Sequence, residues 1–344
     1  MKKSVSSYLK DYLMLLVLVV LIALFSVLGP TVAGRSFFNF SNLLTMLNQN
    51  AYLVILGVGI TFIMLGGGMD LSTGFLISTV GMAMALLEGS TNAAVAVICG
   101  ILLAVLLSAF NGVMYSWLKV FPFIITLGTQ YILNGVTYLL TGGISKTAYV
   151  STALKNIGGL NIRLGSGALK TGVLVMIAAV LIGSFILNKT YFGRNVYALG
   201  SNPDAVALSG VSVAKMRIAI FALAGVFFGI GQVVNIGTTG GAVNQGLGIG
   251  AEFTVMAGAM LGGIKMGGGG GKMSNMVIGV LIIGVLDYGM NFLNINQYWK
   301  YVVLGIALLA AVTIDTLQTR AAENAAKKVT DQAPAESQNT TEAK

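Results

Sequence analysis

The sequence predicts an all-α integral membrane protein of about ten transmembrane helices, some of them broken within the membrane. Three observations predict it. Hydrophobic residues make up 56% of the 344 and charged ones only 9%, with a mean hydropathy of +0.87. A soluble domain carries about 25% charged residues, so this chain lacks the charge to cover a water-facing surface. Apolar stretches of roughly 20 residues, the length a bilayer needs, recur along the chain. Glycine clusters interrupt some of them next to carboxylates.

The predicted segments are 12–29, 48–66, 71–88, 93–117, 122–141, 170–188, 216–236, 249–265, 274–293 and 299–317. Lys2, Lys3 and Lys10 precede the first. Its length, and the lack of a small-x-small cleavage site after it, favour a retained span over a cleaved signal. The apolar run from Ala51 to Leu87 is too long for one crossing and must break near Gly66-Gly67-Gly68-Met69-Asp70. With the N-terminus inside, 14 of the 20 Lys and Arg residues fall in cytoplasmic segments. Loop charge of that sign places both termini of a multi-pass protein in the cytoplasm. The outer segment from Gly142 to Lys170 carries Lys146, Lys155, Arg163 and Lys170 among Gly and Ser, and reads as a structured external loop with a docking surface. Residues 1–320 form the transmembrane domain. Residues 321–344 hold no aromatic side chain and read as a disordered cytoplasmic tail.

Composition excludes several chemistries. There is no histidine and one cysteine, Cys99. That removes His-based triads, His/Cys zinc sites and any internal disulfide. Cys99 lies in an apolar run and reads as a buried structural thiol. The pI near 9.6 reflects basic residues that flank apolar runs, which orient a chain in lipid rather than bind nucleic acid. The scattered methionines suit packing, and no metal site is expected.

Three segments break the apolar pattern. In Gly66-Gly67-Gly68-Met69-Asp70-Leu71-Ser72-Thr73-Gly74, three glycines and a carboxylate sit inside an apolar stretch. Irregular backbone at membrane depth must face protein or a water-filled path, and a buried charge is costly. Either Asp70 or Ser72 caps the next helix, or the break presents a helix end to a solute; both can hold. The second segment, 190–211, reads as a cytoplasmic loop carrying a short helix. Asn202 suits an N-cap, Pro203 the first helical position and Asp204 the helix dipole, and Gly210 can end the helix. These residues specify about two turns over 203–209, with Val206 and Leu208 as apolar contacts and Ala205, Ala207 and Ser209 allowing close approach. So short a helix needs something to pack against. That is its own bundle or a partner's groove, and these residues alone leave both open.

The third segment is Gly246-Leu247-Gly248-Ile249-Gly250-Ala251-Glu252-Phe253, followed by Gly262-Gly263 and the run Gly267 to Gly271. It is no phosphate loop. Around Lys272 the first glycine position is Met266, and the residue after Lys272 is Met273. The chain is therefore expected to bind no ATP. Further intramembrane polar residues are Asn111, Gln130, Asn134, Asn235, Asn291 and Asp287. Most such groups hold helices together, and a minority line solute paths.

In this order, the segments resemble the permease subunits of bacterial ABC sugar importers of the ribose/galactose/xylose class, over about Asn42 to Asp315. Gly67-Gly68-Met69-Asp70-Leu71-Ser72-Thr73-Gly74 resembles that family's Gly-Gly-Ile-Asp-Leu-Ser-Val-Gly. Asn111-Gly112, Thr126-Leu127-Gly128-Thr129 and Thr141-Gly142-Gly143 match further blocks. Phe192-Gly193-Arg194 and Ala198-Leu199-Gly200-Ser201-Asn202-Pro203-Asp204-Ala205 through Leu208-Ser209-Gly210-Val211 carry the most specific match. Asn296-Gln297-Tyr298-Trp299 resembles Asn-Pro-Tyr-Trp. Glu252-Phe253-Thr254 stands where the family often has Glu-Leu-Asp, and Lys265 where it has serine; both departures leave subclass and solute open.

The resemblance implies a compact ten-span importer permease of the bacterial inner membrane and no enzyme of its own. A homodimer of permease copies would form the pathway. A cytoplasmic ABC ATPase holding ATP and Mg would dock on Gly193, Arg194, Asn202, Pro203, Asp204, Ala205, Val206, Ala207, Leu208, Ser209 and Gly210. A periplasmic or lipid-anchored sugar-binding protein would deliver the solute and supply most of the selectivity. The translocation path expected on this basis comprises Asp70, Ser72, Asn111, Thr126, Thr129, Gln130, Asn134, Asn235, Glu252 and Asn291. Two other readings stand beside it. One is an ABC permease for branched-chain amino acids or another small polar solute. The other is an ion-coupled transporter using Asp70, Glu252 and Asp287.

Overall fold

A computed structural model of the chain describes residues 5–144, 147–296 and 298–331. These are mostly helical. In order the helices are α1 (Val5–Leu28), α2 (Phe40–Leu65), α3 (Thr73–Glu88), α4 (Ala93–Leu118), α5 (Pro122–Leu139), α6 (Thr152–Gly159), α7 (Thr171–Lys189), α8 (Tyr191–Ser201), α9 (Pro203–Leu208), α10 (Val213–Thr238), α11 (Ala251–Leu261), α12 (Met273–Phe292) and α13 (Tyr298–Asp331). A π-turn at Gly29–Ala33 extends α1.

Each predicted apolar segment falls on one helix, but among the described residues six helices are long and apolar enough to cross a membrane: α1 with its π-turn, α2, α4, α7, α10 and α12. The apolar helices α3 and α11, and the apolar stretch Tyr298–Ala310 of α13, are shorter. On α5, the polar Thr126, Thr129, Gln130, Asn134 and Thr137 interrupt the apolar run.

Local chemistry sets the helix starts. Asn39 caps α2 by accepting from Asn42 N (2.9 Å), and Asn92 caps α4 by accepting from Val95 N (3.0 Å). Helix α2 forms the centre of the bundle, buried almost all round from Ala51 to Leu65. Helix α10 packs between α2 and α4. Gly225 and Gly229 of α10 lie one turn apart against the backbone of α4 at Ala104, Val105 and Ile101, where a Cβ would meet atoms 2.7–2.8 Å away. Small residues at this spacing let two membrane helices approach closely. The Ser108 hydroxyl donates to Phe221 O (2.7 Å) and fastens the same crossing.

The described residues of the segment expected outside, Gly142 to Lys170, carry regular structure. Short strands β1 (Ala148–Tyr149), β2 (Asn161–Leu164), β3 (Gly167–Lys170) and β4 (Ala242–Val243) form two antiparallel pairs, β1 with β4 and β2 with β3. Glu88 accepts from Ser151 N (2.9 Å) and Oγ (2.6 Å), holding the start of α6. Asn48 of α2 clamps β3, donating to Ala168 O and accepting from Lys170 N, both at 2.8 Å.

Two expectations are corrected. Cys99 is exposed, on the face of α4 that also exposes Ile98, Leu102 and Leu106. An apolar run marks a lipid-facing surface as readily as a core. The segment 190–201 is helix α8 rather than loop. Helix α13 continues through residues 321–331, where Ala, Glu and Lys are strong helix formers. Residues 332–344 lie outside the described residues, as do Lys2, Lys3, Lys146 and Gln297.

Candidate functional site

The break after α2 is built by its glycines. Gly67 takes φ +78°. Its N–H reaches Met64 O and that of Gly68 reaches Ile63 O, both at 2.9 Å, so the last carbonyls of α2 are satisfied at membrane depth. The chain then passes Asp70 and enters α3. Asp70 Oδ1 accepts from Ser72 N (2.7 Å) and Ser72 Oγ (2.6 Å). Asn111 of α4 donates to Ser72 Oγ (2.9 Å), and Thr129 of α5 donates to Asn111 Oδ1 (2.7 Å). Thr126 accepts from Leu71 N (3.1 Å). Five predicted path residues thus form one buried relay that stitches α3, α4 and α5 together; none is more than 5% exposed.

Through Oδ1, Asp70 is a turn-forming group at the positive end of α3, while its Oδ2 is buried without a hydrogen-bond partner among the described residues. Asp70→Asn keeps an acceptor in place, so uptake and melting temperature are expected to stay close to wild type. Asp70→Ala strands the Ser72 donors and is expected to cost about 1–3 kcal/mol of stability. Uptake and thermal melts of both variants check this. A folded but inactive Asp70→Asn would show that the charge itself is used.

A second group meets elsewhere. Gln130, Asn134 and Glu252 line one cavity of about 390 Å³, with Phe75, Tyr131, Phe253 and Tyr301 around them. Glu252 sits in the first turn of α11, entered through Gly250 at φ +84°. Its carboxylate packs onto Gly74 of α3, where a Cβ would collide with Oε2. Glu252 Oε2 and Gln130 Oε1 are buried without a hydrogen-bond partner among the described residues. Unsatisfied buried acceptors are uncommon and mark places where a ligand's hydroxyl can donate. Aromatic walls with a few convergent polar groups suit a small neutral polyol.

Asn235 and Asn291 join neither group. Asn235 is buried and donates to Gln232 Oε1 on its own helix (3.3 Å), and Asn291 is exposed at the end of α12. Asp287 is ion-paired with Lys300 (2.9 Å). A neighbouring cavity of about 440 Å³ between α2, α11, α12 and α13 shares Ile249, Gly250, Tyr301 and Leu304 with the first and adds Asn50, Tyr52 and this ion pair. Asn50 and Tyr52 were not foreseen; the amide run Asn48-Gln49-Asn50 inside an apolar stretch was the available signal.

At the opposite end of α2, α8 and α9 form a separate feature. Asn202 caps α9, accepting from Ala205 N (3.0 Å), with Pro203 at its first position. Gly210 takes φ +86°, its N–H reaching Ala207 O (3.0 Å) while Val211 N reaches Val206 O (3.3 Å). From 201 to 210 only Val206 is buried, and Leu208 is 90% exposed. Helix α9 therefore stands off the bundle on a single apolar anchor, with Ala205, Ala207 and Leu208 facing outward. Val206 and Leu208, expected to act together, are divided between bundle and surface.

Helix α8 was missed, although Thr190 caps it by accepting from Gly193 N (3.1 Å) and Phe192, Val196 and Leu199 have helical spacing. Gly193 fits against the last carbonyls of α7, and the Arg194 guanidinium lies 4.2 Å over the Tyr191 ring. At its far end α8 abuts the helix break: Gly200 packs on Leu65 O and on the Gly268–Gly269 backbone, and Gly269 N donates to Leu65 O (2.9 Å). Tyr197 Oη donates to Gly271 O (3.0 Å). Burial pushes the Tyr197 phenol above its ordinary pKa, so it remains a neutral donor.

Six membrane-length helices among the described residues, a glycine-built break after α2, a largely apolar cavity with a few polar groups and an exposed short helix beyond the bundle describe a multi-pass membrane protein. Residues 42–312 match the family described as branched-chain amino acid transport system / permease component, and the chain belongs to this family of ABC-transporter permeases. It is 32% identical over 334 residues to the galactose/methyl galactoside import permease protein of Escherichia coli, covering 92% of this chain and 97% of that one. It is 33% identical over 312 residues to the ribose import permease protein of E. coli, covering 90% and 94%. It is 32% identical over 306 residues to the fructose import permease protein of Rhizobium meliloti, covering 88% and 84%. No solved structure matches the chain.

Proposed function

We propose that this chain is the membrane-spanning subunit of a binding-protein-dependent ABC importer that carries a monosaccharide into the cytoplasm. Full-length similarity to galactose, ribose and fructose import permeases supports a sugar as cargo. The observation that carries the ATP-driven reading is the exposure of α9, a two-turn helix that cannot be stable alone yet turns all but Val206 outward. A cytoplasmic ABC ATPase covers it. That partner, not this chain, holds ATP and Mg.

The remaining assignments follow from that reading. Two permease copies form the pathway, and the chain crosses the membrane ten times with both termini inside. Residues 1–320 form the membrane domain and 321–344 a cytoplasmic extension. A periplasmic or lipid-anchored sugar-binding protein docks on the outer surface built from 147–170 and 242–243. Sugar passes Gln130, Asn134 and Glu252, whereas Asp70, Ser72, Asn111, Thr126 and Thr129 hold the gate elements in register.

A branched-chain amino acid carries an ammonium and a carboxylate and calls for a charge of each sign. The cavity at Gln130 offers one charge, Glu252, and no Lys or Arg. Ion-coupled transport would draw on Asp70, Glu252 or Asp287. Asp287 is already paired with Lys300, and although Asp70 and Glu252 each keep an unpartnered oxygen, the exposed α9 and the similarity to sugar import permeases favour the ATP-driven reading.

Reconstitution tests the proposal: proteoliposomes holding permease, ATPase and sugar-loaded binding protein should import labelled sugar only with ATP. Import that follows an ion gradient without the ATPase would overturn it. In the same assay Gln130→Ala is expected to lower the apparent affinity for transported sugar about tenfold, the worth of one buried hydrogen bond. An unchanged concentration dependence would move the sugar path away from this cavity.

A further inference from the structure

A basic cavity unrelated to the solute path opens at the end of the bundle that carries α9. It has a volume of about 500 Å³ and lies between the C-terminus of α4, the N-terminus of α5 and the N-terminus of α10. Lys119 and Arg217 line it, and no acidic residue does. Neither forms an ion pair among the described residues. Arg217 is held in place: its guanidinium lies 4.1 Å over the Tyr115 ring, and Nε is buried without a hydrogen-bond partner. Stacking of this kind orients the planar fork and leaves its edge free for an oxyanion. The N-terminus of α5 adds the positive end of a helix dipole, with no side-chain cap from Phe121.

The rim identifies the kind of ligand. Phe121 lines the cavity and is 76% exposed, and Trp117, two residues before Lys119 at the end of α4, is 74% exposed. Large amphipathic and apolar rings at the level where membrane helices end mark the headgroup layer of a bilayer. A pocket at that level, basic on its floor and apolar on its lip, matches a molecule with an anionic phosphate beside acyl chains. We propose that the cavity at Lys119 and Arg217 is a binding site for the phosphate of an anionic phospholipid from the surrounding leaflet. Such a lipid neutralises the buried guanidinium edge and wedges between α4, α5 and α10, next to the connection from α9 into α10.

Native mass spectrometry of the purified full-length chain tests this, with phosphatidylglycerol and phosphatidylcholine titrated at equal concentrations. Wild type is expected to retain phosphatidylglycerol about tenfold more than phosphatidylcholine. Arg217→Gln and Lys119→Asn should each abolish most of that preference. Lys119 is exposed at φ 54°, a conformation that asparagine tolerates, so Lys119→Asn tests the charge with little burden on the fold. Millimolar inorganic phosphate should leave the lipid adduct in place. Equal retention of both lipids, or a preference that survives both substitutions, would overturn the proposal. So would displacement by phosphate, which would make this a site for free phosphate. Crosslinking of a probe at Lys119 to an acidic segment of the ATPase, rather than to lipid, would overturn it as well.

Discussion

Replacing Ala205 with Arg is expected to leave the permease inserted and folded, but to abolish ATPase capture and ATP-driven uptake. The reasoning is steric. Ala205 and Ala207 make the outer face of α9 flat, so a partner can approach its backbone, while Leu208 supplies the apolar anchor. A long charged side chain at Ala205 keeps the partner off and strands Leu208. The fold should tolerate it, because Ala205 is exposed and Val206, the residue that holds α9 to the bundle, is untouched. Losing an anchor of this kind costs about 2 kcal/mol or more, roughly 30-fold in affinity. Leu208→Asp should behave alike, without adding bulk. Co-purification of the ATPase and uptake in proteoliposomes check both variants. Normal capture by either would show that α9 is not the docking element.

Helix α9 was legible because its signals are local. A cap, a proline, an acidic first turn and a terminating glycine occupy nine consecutive positions, Asn202 to Gly210, and each has one physical use. The break at Gly66 to Asp70 was legible for the same reason. What the sequence did not reveal was pairing. Ser72, Asn111 and Thr129 each look like a polar residue exposed to a solute, yet they bond to one another across separations of 39 and 18 residues. No local pattern distinguishes a polar group facing a partner helix from one facing a path. Gln130, one residue from Thr129, points into the cavity instead. Helix α8 was obscured by Gly193 and Gly200, which read as loop signals but serve close packing.

The structure also relates segments that the sequence showed only as separate anomalies. Helices α2 and α10 are each 26 residues long and largely buried, and each leads through a glycine-rich turn into a shorter apolar helix, α3 or α11. A buried carboxylate marks the start of each shorter helix, Asp70 before α3 and Glu252 in α11. These two helix starts touch: Glu252 packs on Gly74, and Gly248 N donates to Ser78 Oγ (2.8 Å). Paired broken helices meeting at their starts are a geometry in which small rigid-body shifts change access to a site. The cavity at Gln130 borders this contact through Phe75 and Glu252. A displacement of the α2 break would therefore reach the proposed sugar path through α3.

Gly200→Ala is expected to separate docking from transport. Gly200 is where α8 meets the α2 break, and an added Cβ would collide with Leu65 O and with Gly269 N. Both are backbone atoms and cannot rotate away. Accommodating the methyl group means moving α8 off the break, which severs the contact between the ATPase-docking end and the intramembrane gate. Helix α9 keeps its own cap at Asn202 and its anchor at Val206, so ATPase capture should persist. Uptake should fall by an order of magnitude or more while ATP hydrolysis continues without responding to sugar-loaded binding protein. Tyr197→Phe is the gentler companion. It removes only the bond from Tyr197 Oη to Gly271 O, worth about 1 kcal/mol, and should reduce coupling partially without threatening the fold. Full coupling in both variants would mean that force reaches the gate by another route. Loss of ATPase capture together with uptake would make this junction part of the docking scaffold rather than its transmission.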